Sequence, residues 1–97
     1  MKLSAEAMLI LVSLADGPKH GYAMQQDIAR VSGRHLGPGS LYGAIARLEQ
    51  AGYIESLAGE ANRRPYRLTA RGARTLESEL ASLRKLTAAG TRRLALR

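Results

Sequence analysis

Glycine and proline interrupt the apolar pattern of the first half of the chain at three places, and these interruptions restrict its fold more than any other feature. Asp16-Gly17-Pro18, Ser32-Gly33 and Gly52 each follow a segment in which apolar residues recur every three or four positions. Glycine supplies the left-handed conformation that ends a helix, and proline cannot continue one. The sequence therefore predicts three short helices separated by tight turns.

Each of these helices has an apolar face that predicts its buried side. The first helix begins near Ser4 and is expected to bury Leu3, Ala7, Ile10, Leu11 and Leu14. The second runs from about His20 to Val31 and is expected to bury Tyr22, Met24, Ile28 and Val31. The third follows Gly37-Pro38-Gly39-Ser40, where proline suits a first helical turn, and is expected to bury Leu41, Ile45 and Leu48.

The pattern changes after Gly52 from helical spacing to that of a β-hairpin. Residues 53–57 are rich in β-formers, residues 58–65 are a polar turn, and residues 66–69 alternate apolar and polar side chains. Thr69 is expected to cap a final helix from about Ala70, with Gly90 as a weak point. The apolar stripe of this helix comprises Ala73, Leu76, Leu80, Leu83, Leu86 or Thr87, and Leu94.

The order helix, helix, helix, hairpin, helix predicts a fold that is mainly α with a small β-hairpin, the winged helix-turn-helix. We expect residues 1–70 to form the DNA-binding domain and residues 71–97 a C-terminal dimerisation helix of the same compact unit. A chain of 97 residues buries only about 60–65% of the surface that its unfolded form exposes. That small core favours an oligomer.

Positive charge is concentrated in the second half of the chain. Residues 1–60 contain five Lys and Arg against six Asp and Glu, whereas residues 61–97 contain ten against two. The net charge is +7, with a pI near 10.6. This asymmetry indicates that the second half contacts a polyanion, and a solvated basic helix is the plainer alternative.

The composition argues against several other classes of protein. The absence of cysteine excludes disulfides, zinc fingers and thiol catalysis. The longest apolar run, Ala7–Val12, is far shorter than the roughly 18 residues that span a bilayer, and no signal peptide is recognisable, so a cytoplasmic location is expected. His20 and His35 lack metal-ligand spacing, and the glutamates form no acid and base pair. We therefore expect no enzyme, metal, cofactor or membrane partner.

The third helix is the candidate recognition helix, because that helix enters the DNA major groove by its N-terminal part. Ser40 and Tyr42 offer hydroxyls to phosphates, and Gly43 permits a close approach of the backbone. Arg47 is the long cation of the outer face and can reach a phosphate or a guanine edge. An ordinary amphipathic helix with a solubilising arginine is the alternative.

Two further groups of basic residues flank this helix. Arg63 and Arg64 at the hairpin tip are placed for a minor groove or for flanking phosphates, or else form a solvated turn. Lys19 and His20 precede the second helix and are expected to lie against the DNA backbone, although His20 serves equally well as a helix cap.

The leucines of the final helix are the candidate dimer contacts. They are Leu76, Leu80, Leu83, Leu86 and Leu94. Pairing between two copies would bury them, and packing onto the first helix of the same chain is the alternative. We expect a mixture in which the distal part dimerises.

Three segments together resemble the motifs of PadR-family transcriptional regulators. They are Leu14–Met24 with Gly17-Pro18-Lys19-His20-Gly21-Tyr22, Pro38–Ile54 with Ser40-Leu41-Tyr42 and Arg47-Leu48-Glu49, and Arg64–Gly72 with Tyr66-Arg67-Leu68-Thr69. The resemblance implies a dimeric DNA-binding repressor whose activity is often relieved by a small ligand. It also implies the short form of the family, in which a single C-terminal helix drives dimerisation.

The predicted function is a sequence-specific regulator, most simply a repressor, that binds a palindromic operator in double-stranded DNA as a homodimer and is released by a small effector. A winged-helix module that docks on proteins without contacting DNA is the main alternative. General compaction of nucleic acid is a third possibility, and it predicts binding with little sequence preference.

Overall fold

The computed structural model describes residues 3–59 and 63–97, and its elements follow the predicted order. They are α1 (Ala5–Leu14), α2 (Gly21–Ser32), α3 (Pro38–Gln50), β1 (Ile54–Ser56), β2 (Tyr66–Leu68) and α4 (Ala70–Leu96). The two strands pair antiparallel, so the predicted fold class is confirmed. Both strands are shorter than the sequence pattern indicated, and part of the predicted turn, residues 60–62, lies outside the described residues.

Local hydrogen bonds explain where the first two helices begin and end. The Ser4 hydroxyl accepts from the Ala7 N–H at 3.1 Å and caps α1. His20 Nδ1 accepts from the Ala23 N–H at 3.5 Å and caps α2. Gly33 ends α2 with φ +74°, the left-handed conformation that favours glycine. The predicted boundaries of both helices are therefore correct to within a few residues.

The core lies between α1, α2 and α3 and is closed by the hairpin and the start of α4. Its largest fully buried side chains are Ile10, Leu11, Met24, Ile28, Leu41, Ile45 and Ile54. Two of the predicted core residues are wrong, because Tyr22 is 64% exposed and Val31 is 62% exposed. Tyr22 stands about 200° around the helix from Met24, and Val31 lies in the last turn of α2 among exposed neighbours.

Two polar contacts fix the relative positions of the helices. The buried Ser13 hydroxyl on α1 donates to Asp27 Oδ2 on α2 at 2.7 Å. The Gln25 side-chain amide on α2 donates to the Leu36 carbonyl at 2.9 Å in the turn before α3. The second contact fixes the turn of the helix-turn-helix and so the direction in which α3 leaves it.

The hairpin is extended by a third segment that the sequence pattern did not reveal. In the hairpin itself Ile54 pairs with Leu68, Glu55 with Arg67 and Ser56 with Tyr66. On the other side of β2, the Lys19 N–H donates to the Tyr66 carbonyl at 3.1 Å and the Tyr66 N–H donates to the Lys19 carbonyl at 2.9 Å. The turn between α1 and α2 is therefore joined to the wing.

Helix α4 starts inside the body of the protein and then leaves it. Thr69 Oγ1 accepts from the Gly72 N–H at 3.0 Å and donates to the Gly52 carbonyl at 2.7 Å, which confirms the predicted cap. Leu76 is buried, but the helix continues through Gly90 to Leu96 with mostly exposed residues. Its length contributes to overall dimensions of 54 × 26 × 21 Å. None of the helices in the described ranges is both long and apolar enough to cross a bilayer.

Candidate nucleic-acid interface

The outer face of α3 has the composition that the sequence analysis expected. Leu41, Ala44, Ile45 and Leu48 point into the core, whereas Ser40, Tyr42, Ala46, Arg47 and Gln50 are exposed. Gly43 is partly buried. The predicted rotation of the helix about its axis is therefore correct, and its exposed face is polar with no large aliphatic side chain.

The beginning of α3 is open to solvent. Gly37, Pro38, Gly39 and Ser40 are all exposed, and Gly37 makes no side-chain cap. The first N–H groups of a helix lack intrahelical partners, and the helix dipole makes this end positive. A DNA phosphate is one group that such an end attracts.

Arg47 lies back along α3 toward this open end. Its Nη1 atom is 3.6 Å from the position that a Cβ on Gly43 would occupy. Side chains on helices lean toward the N-terminus, and this brings the guanidinium beside Gly43. The cation is thereby placed beside the first half of α3, the part that enters the groove in this fold.

Tyr42 is 46% exposed, and the end of its ring lies against Gly21 at the start of α2. Tyr66 of the wing pairs through its backbone with Lys19, two residues before Gly21. Burial raises the pKa of the Tyr66 phenol, Glu49 and Tyr42 raise it further, and Arg64 opposes the rise. The recognition helix, the start of α2 and the wing therefore meet around these tyrosines, an arrangement that helical spacing cannot show.

The wing carries its two arginines beside this junction. Arg63 and Arg64 are exposed, and the Leu57 N–H donates to the Pro65 carbonyl at 2.8 Å just beyond the strands. A Cβ on Gly59 would lie 3.3 Å from both the Arg63 carbonyl oxygen and the Arg64 Cα, so the two arms of the hairpin are in close contact there. The two exposed arginines thus lie in a part of the wing where the arms of the hairpin are in close contact.

Lys19 and His20 make contacts within the protein. The Lys19 ammonium bonds to the Ser13 carbonyl and the Asp16 carboxylate, and its side chain is only 18% exposed. The hydrogen bond between Lys19 and the Asp16 carboxylate, together with the positive charge of Lys19, holds the pKa of Asp16 below its usual value. His20 caps α2, which is the alternative weighed for it. Both residues brace the turn between α1 and α2, whereas Ser40, Tyr42, Gly43 and Arg47 share the outer surface.

The candidate dimer leucines divide into two groups. Leu76 is 5% exposed and belongs to the core of its own chain, so it is a core residue before any dimer forms. Leu80, Leu83, Leu86 and Leu94 are between 38% and 68% exposed. Packing within the chain therefore gives way to exposed apolar side chains along α4, and dimerisation through the distal part stays a prediction.

An apolar groove, which we call the α1–α4 groove, lies between the exposed leucines and the first helix. It has a volume of about 470 Å³ and its apolar lining comprises Leu3, Ala5, Met8, Leu9, Val12, Leu80 and Leu83. The sequence analysis did not predict that side chains of α1 line one side of such a groove. Its signal was the unbroken apolar run Ala7–Val12, since a helix that is apolar on all sides has more than one covered face.

Metal chemistry has no visible site in the described part of the chain. There, no three His, Asp or Glu side chains lie close enough together to hold an ion.

Comparison with known proteins identifies the family. Residues 10–78 match the model of the transcriptional regulator PadR-like family. A 37.1 kDa protein in transposon TN4556 of Streptomyces fradiae is 47% identical over 87 residues, which are 90% of this chain and 25% of that protein. The chain thus spans a quarter of the length of this curated relative.

Two solved structures show the same fold. A transcriptional regulator from Clostridium thermocellum superposes with a TM-score of 0.78 at 28% identity, covering 89% of each chain. A PadR family transcription regulator from Clostridium difficile R20291 superposes with a TM-score of 0.82 at 24% identity, covering 94% of this chain and 99% of the other. The motifs, the winged helix-turn-helix and the family match agree, and the chain belongs to the PadR-like family of transcriptional regulators.

Proposed function

We propose that the chain binds a palindromic operator in double-stranded DNA as a homodimer and represses transcription. The observation that carries this proposal is the outer face of α3. Hydroxyl groups, an arginine and the N-terminus of the helix are exposed to solvent there, while the apolar side chains of the helix are buried in the core. A docking module for proteins would present large apolar or aromatic anchors at the centre of such a face. Tyr42 is the one aromatic side chain there, and the end of its ring rests on α2.

In the proposed complex α3 enters the major groove by its first half. Arg47 reads a guanine edge or contacts a phosphate, and the hydroxyls of Ser40 and Tyr42 contact phosphates. Arg63 and Arg64 follow the adjacent minor groove or its flanking phosphates. Lys19 and His20 hold the turn beneath these elements, and a phosphate contact by either one adds to that role.

A palindromic operator has two half-sites, and a dimer supplies the second recognition helix that binds the second of them. The apolar surface of the α1–α4 groove continues past Leu83 to Leu86, and Leu94 is exposed about two turns further along α4. The α4 of a second copy has the same leucines to place against this surface. Arg84, Lys85, Arg92 and Arg93 would repel one another across the axis. Raising the salt concentration should therefore strengthen the dimer while it weakens DNA binding.

We extend the proposal to release by a small ligand. A ligand in the α1–α4 groove would compete with the partner's α4 and separate the two subunits. The two half-sites of the operator would then no longer be bound together. An anionic aromatic probe such as anilinonaphthalene sulfonate should then bind with enhanced fluorescence and shift the protein from dimer to monomer. Binding of the probe with no change in oligomeric state would remove the groove as an effector site.

The decisive test is a mobility shift with DNA from upstream of the chain's own gene, in the presence of random competitor DNA. A complex that resists the competitor supports operator binding. A complex that the competitor removes supports general compaction, and the absence of any complex supports protein docking.

The contribution of the wing is tested by the salt dependence of binding. If a dimer neutralises about 6–10 phosphates, affinity should fall by roughly 10³ or more between about 50 and 200 mM salt. Arg63→Ala with Arg64→Ala should lower both the affinity and this slope. Arg92→Ala with Arg93→Ala removes the same charge from another adjacent pair, on distal α4. At protein concentrations at which every variant is fully dimeric, so that the lost repulsion across the axis has no effect, it should leave the slope nearly unchanged. Equal effects of the two double variants would remove the wing from the interface.

The dimer is tested by placing charges on α4. Leu83→Asp with Leu86→Asp should give a monomer by sedimentation and weaken operator binding, because two half-sites are no longer engaged together. Ala81→Asp with Ala88→Asp adds the same charges on the opposite side of the helix and should leave the dimer intact. A wild-type protein that sediments as a monomer at micromolar concentration would overturn this part of the proposal.

A further inference from the structure

Gly21 has an unusually close neighbour in the interface. It is the first residue of α2, it is buried, and the end of the Tyr42 ring lies directly over its Cα. A Cβ built on Gly21 would be 2.1 Å from the Tyr42 hydroxyl oxygen and 2.7 Å from Cζ. Real Cβ atoms do not come within 3.0 Å of a neighbouring atom, so this position of the ring requires glycine at residue 21.

The other glycines of this surface impose no such condition. A Cβ on Gly39 would meet open space, and a Cβ on Gly43 would make an ordinary contact with Arg47 at 3.6 Å. The protein itself could accept a Cβ at both positions, where glycine leaves room for the approach of a DNA backbone. Gly21 differs because a side chain of the interface itself occupies the space.

The contact determines where the Tyr42 hydroxyl can be. The ring spans from α3 to the start of α2 and its hydroxyl end rests on Gly21, while Tyr42 as a residue remains 46% exposed, so the side chain is held at the surface and not inside the core. A tyrosine free to rotate would lose conformational entropy when its hydroxyl met a phosphate, whereas a seated ring has already lost it.

We propose that Gly21 is a positioning residue for DNA binding, because its missing side chain seats the Tyr42 ring and holds the phenol hydroxyl in place for a backbone phosphate. This inference rests on the proposed operator binding. The neighbour that must move in Gly21→Ala is the far end of a flexible side chain, so the ring swings away and the fold persists. Affinity for DNA falls because the hydroxyl is lost from its place.

A double-mutant cycle in the full chain tests the inference. Operator affinity is measured for the wild type, Gly21→Ala, Tyr42→Ala and the double variant. Gly21→Ala should lower affinity about tenfold in the wild-type background, as expected for a lost hydrogen bond to a charged group, and less than about twofold in the Tyr42→Ala background. Ser78→Ala, at an exposed position on the side of α4 that faces away from the leucines, should leave affinity unchanged.

Two measurements without DNA keep the contact itself testable. The Hα protons of Gly21 should show a ring-current shift in the wild type that Tyr42→Ala abolishes. Tyr42→Phe keeps the ring, should retain the shift, and should still lose about tenfold in affinity. Tyr22→Phe removes the hydroxyl of an exposed tyrosine next to Gly21 and serves as its control.

The possible results separate the inference from the function on which it rests. An equal loss for Gly21→Ala in both backgrounds, or no loss in either, would overturn the positioning role. If Gly21→Ala does not fold, full affinity in Tyr42→Phe would overturn it as well. Failure of the wild-type protein to bind any DNA would overturn operator binding itself, and that failure is recognised because it precedes any substitution.

Discussion

The two ends of α4 carry the same residue types in opposite surroundings. In the first two turns Gly72 and Leu76 are buried, whereas Leu83, Leu86 and Gly90 further along are exposed. The apolar stripe is continuous in sequence, but its cover ends near Leu80, which is 38% exposed. A stripe therefore shows which side of a helix needs a partner, and the size of the body decides how much of it the same chain can cover.

The proximal end of α4 is held by contacts that involve the backbone. Thr69 bonds to the Gly52 carbonyl, and the start of the helix lies directly against Tyr53, whose ring also stacks under the Arg71 guanidinium at 5.4 Å from the ring centroid. At the distal end of α4, only side chains are available for contacts with another element. The comparison predicts that matched substitutions in this one helix will have different consequences at its two ends.

The largest contrast is expected between two leucines. Leu76→Ala should lower the free energy of unfolding by about 2–5 kcal/mol, because it leaves a cavity in a packed core. This loss should be the same at every protein concentration. Leu86→Ala should cost less, and its cost should appear only at concentrations at which a dimer forms. Urea unfolding at several protein concentrations measures both.

Either of two results would break the comparison. A loss for Leu76→Ala that shrinks on dilution would place Leu76 in the dimer contact and not in the core of one chain. A large loss for Leu86→Ala in a dilute monomer would mean that the distal helix folds back on its own body.

Gly72 should be almost as sensitive as Leu76. A Cβ at this position would lie 2.0 Å from the Tyr53 carbonyl oxygen, a backbone atom that cannot rotate away. Gly72→Ala should therefore destabilise the protein by about 1–3 kcal/mol, as overpacking does, even though alanine is the better helix former. A thermal melt measures the change, and an unchanged or raised Tm would show that α4 can move away from Tyr53 at little cost.

Much of the fold could be predicted from the sequence, because helix ends and amphipathic faces are local properties. The boundary at Gly33, the cap at Thr69 and the outward face of α3 follow from residue type and spacing. Tyr22 and Val31 were misplaced for a related reason. An apolar or aromatic residue at a helical position looks buried in a pattern, but burial also depends on whether another element reaches that turn.

The remainder depends on contacts between segments that are distant in sequence. Pairing of Lys19 with Tyr66, the seat of Tyr42 on Gly21 and the approach of Gly72 to Tyr53 leave no periodic signal. For the candidate site, the residues of α3 and the wing could be chosen from charge and spacing. The sequence could not show that the Lys19 ammonium donates hydrogen bonds to the Asp16 carboxylate and the Ser13 carbonyl.

A smaller effect is expected from two threonines of the same helix region. Thr69→Ala removes the cap of α4 and leaves the Gly52 carbonyl without its hydroxyl donor, and it should cost about 0.5–2 kcal/mol. Thr87→Ala, at an exposed position, should be neutral or slightly stabilising because alanine favours helix. Chemical unfolding of both variants checks the difference, and equal losses would show that the cap contributes nothing at the junction.

The smallest expected effect has the opposite sign. Gly90 lies in the distal helix, and a Cβ there would meet open space, so Gly90→Ala has no neighbour to displace. Glycine in a helix interior costs about 0.5–1 kcal/mol relative to alanine, because it loses more backbone freedom on folding. The variant should therefore stabilise the distal helix, raising its amide protection in hydrogen exchange, while Gly72→Ala does the reverse at the proximal end. If Gly90→Ala instead weakened the dimer in sedimentation, a partner helix would have to approach closely at this residue. The contrast between the two ends of α4 would then hold only for the monomer.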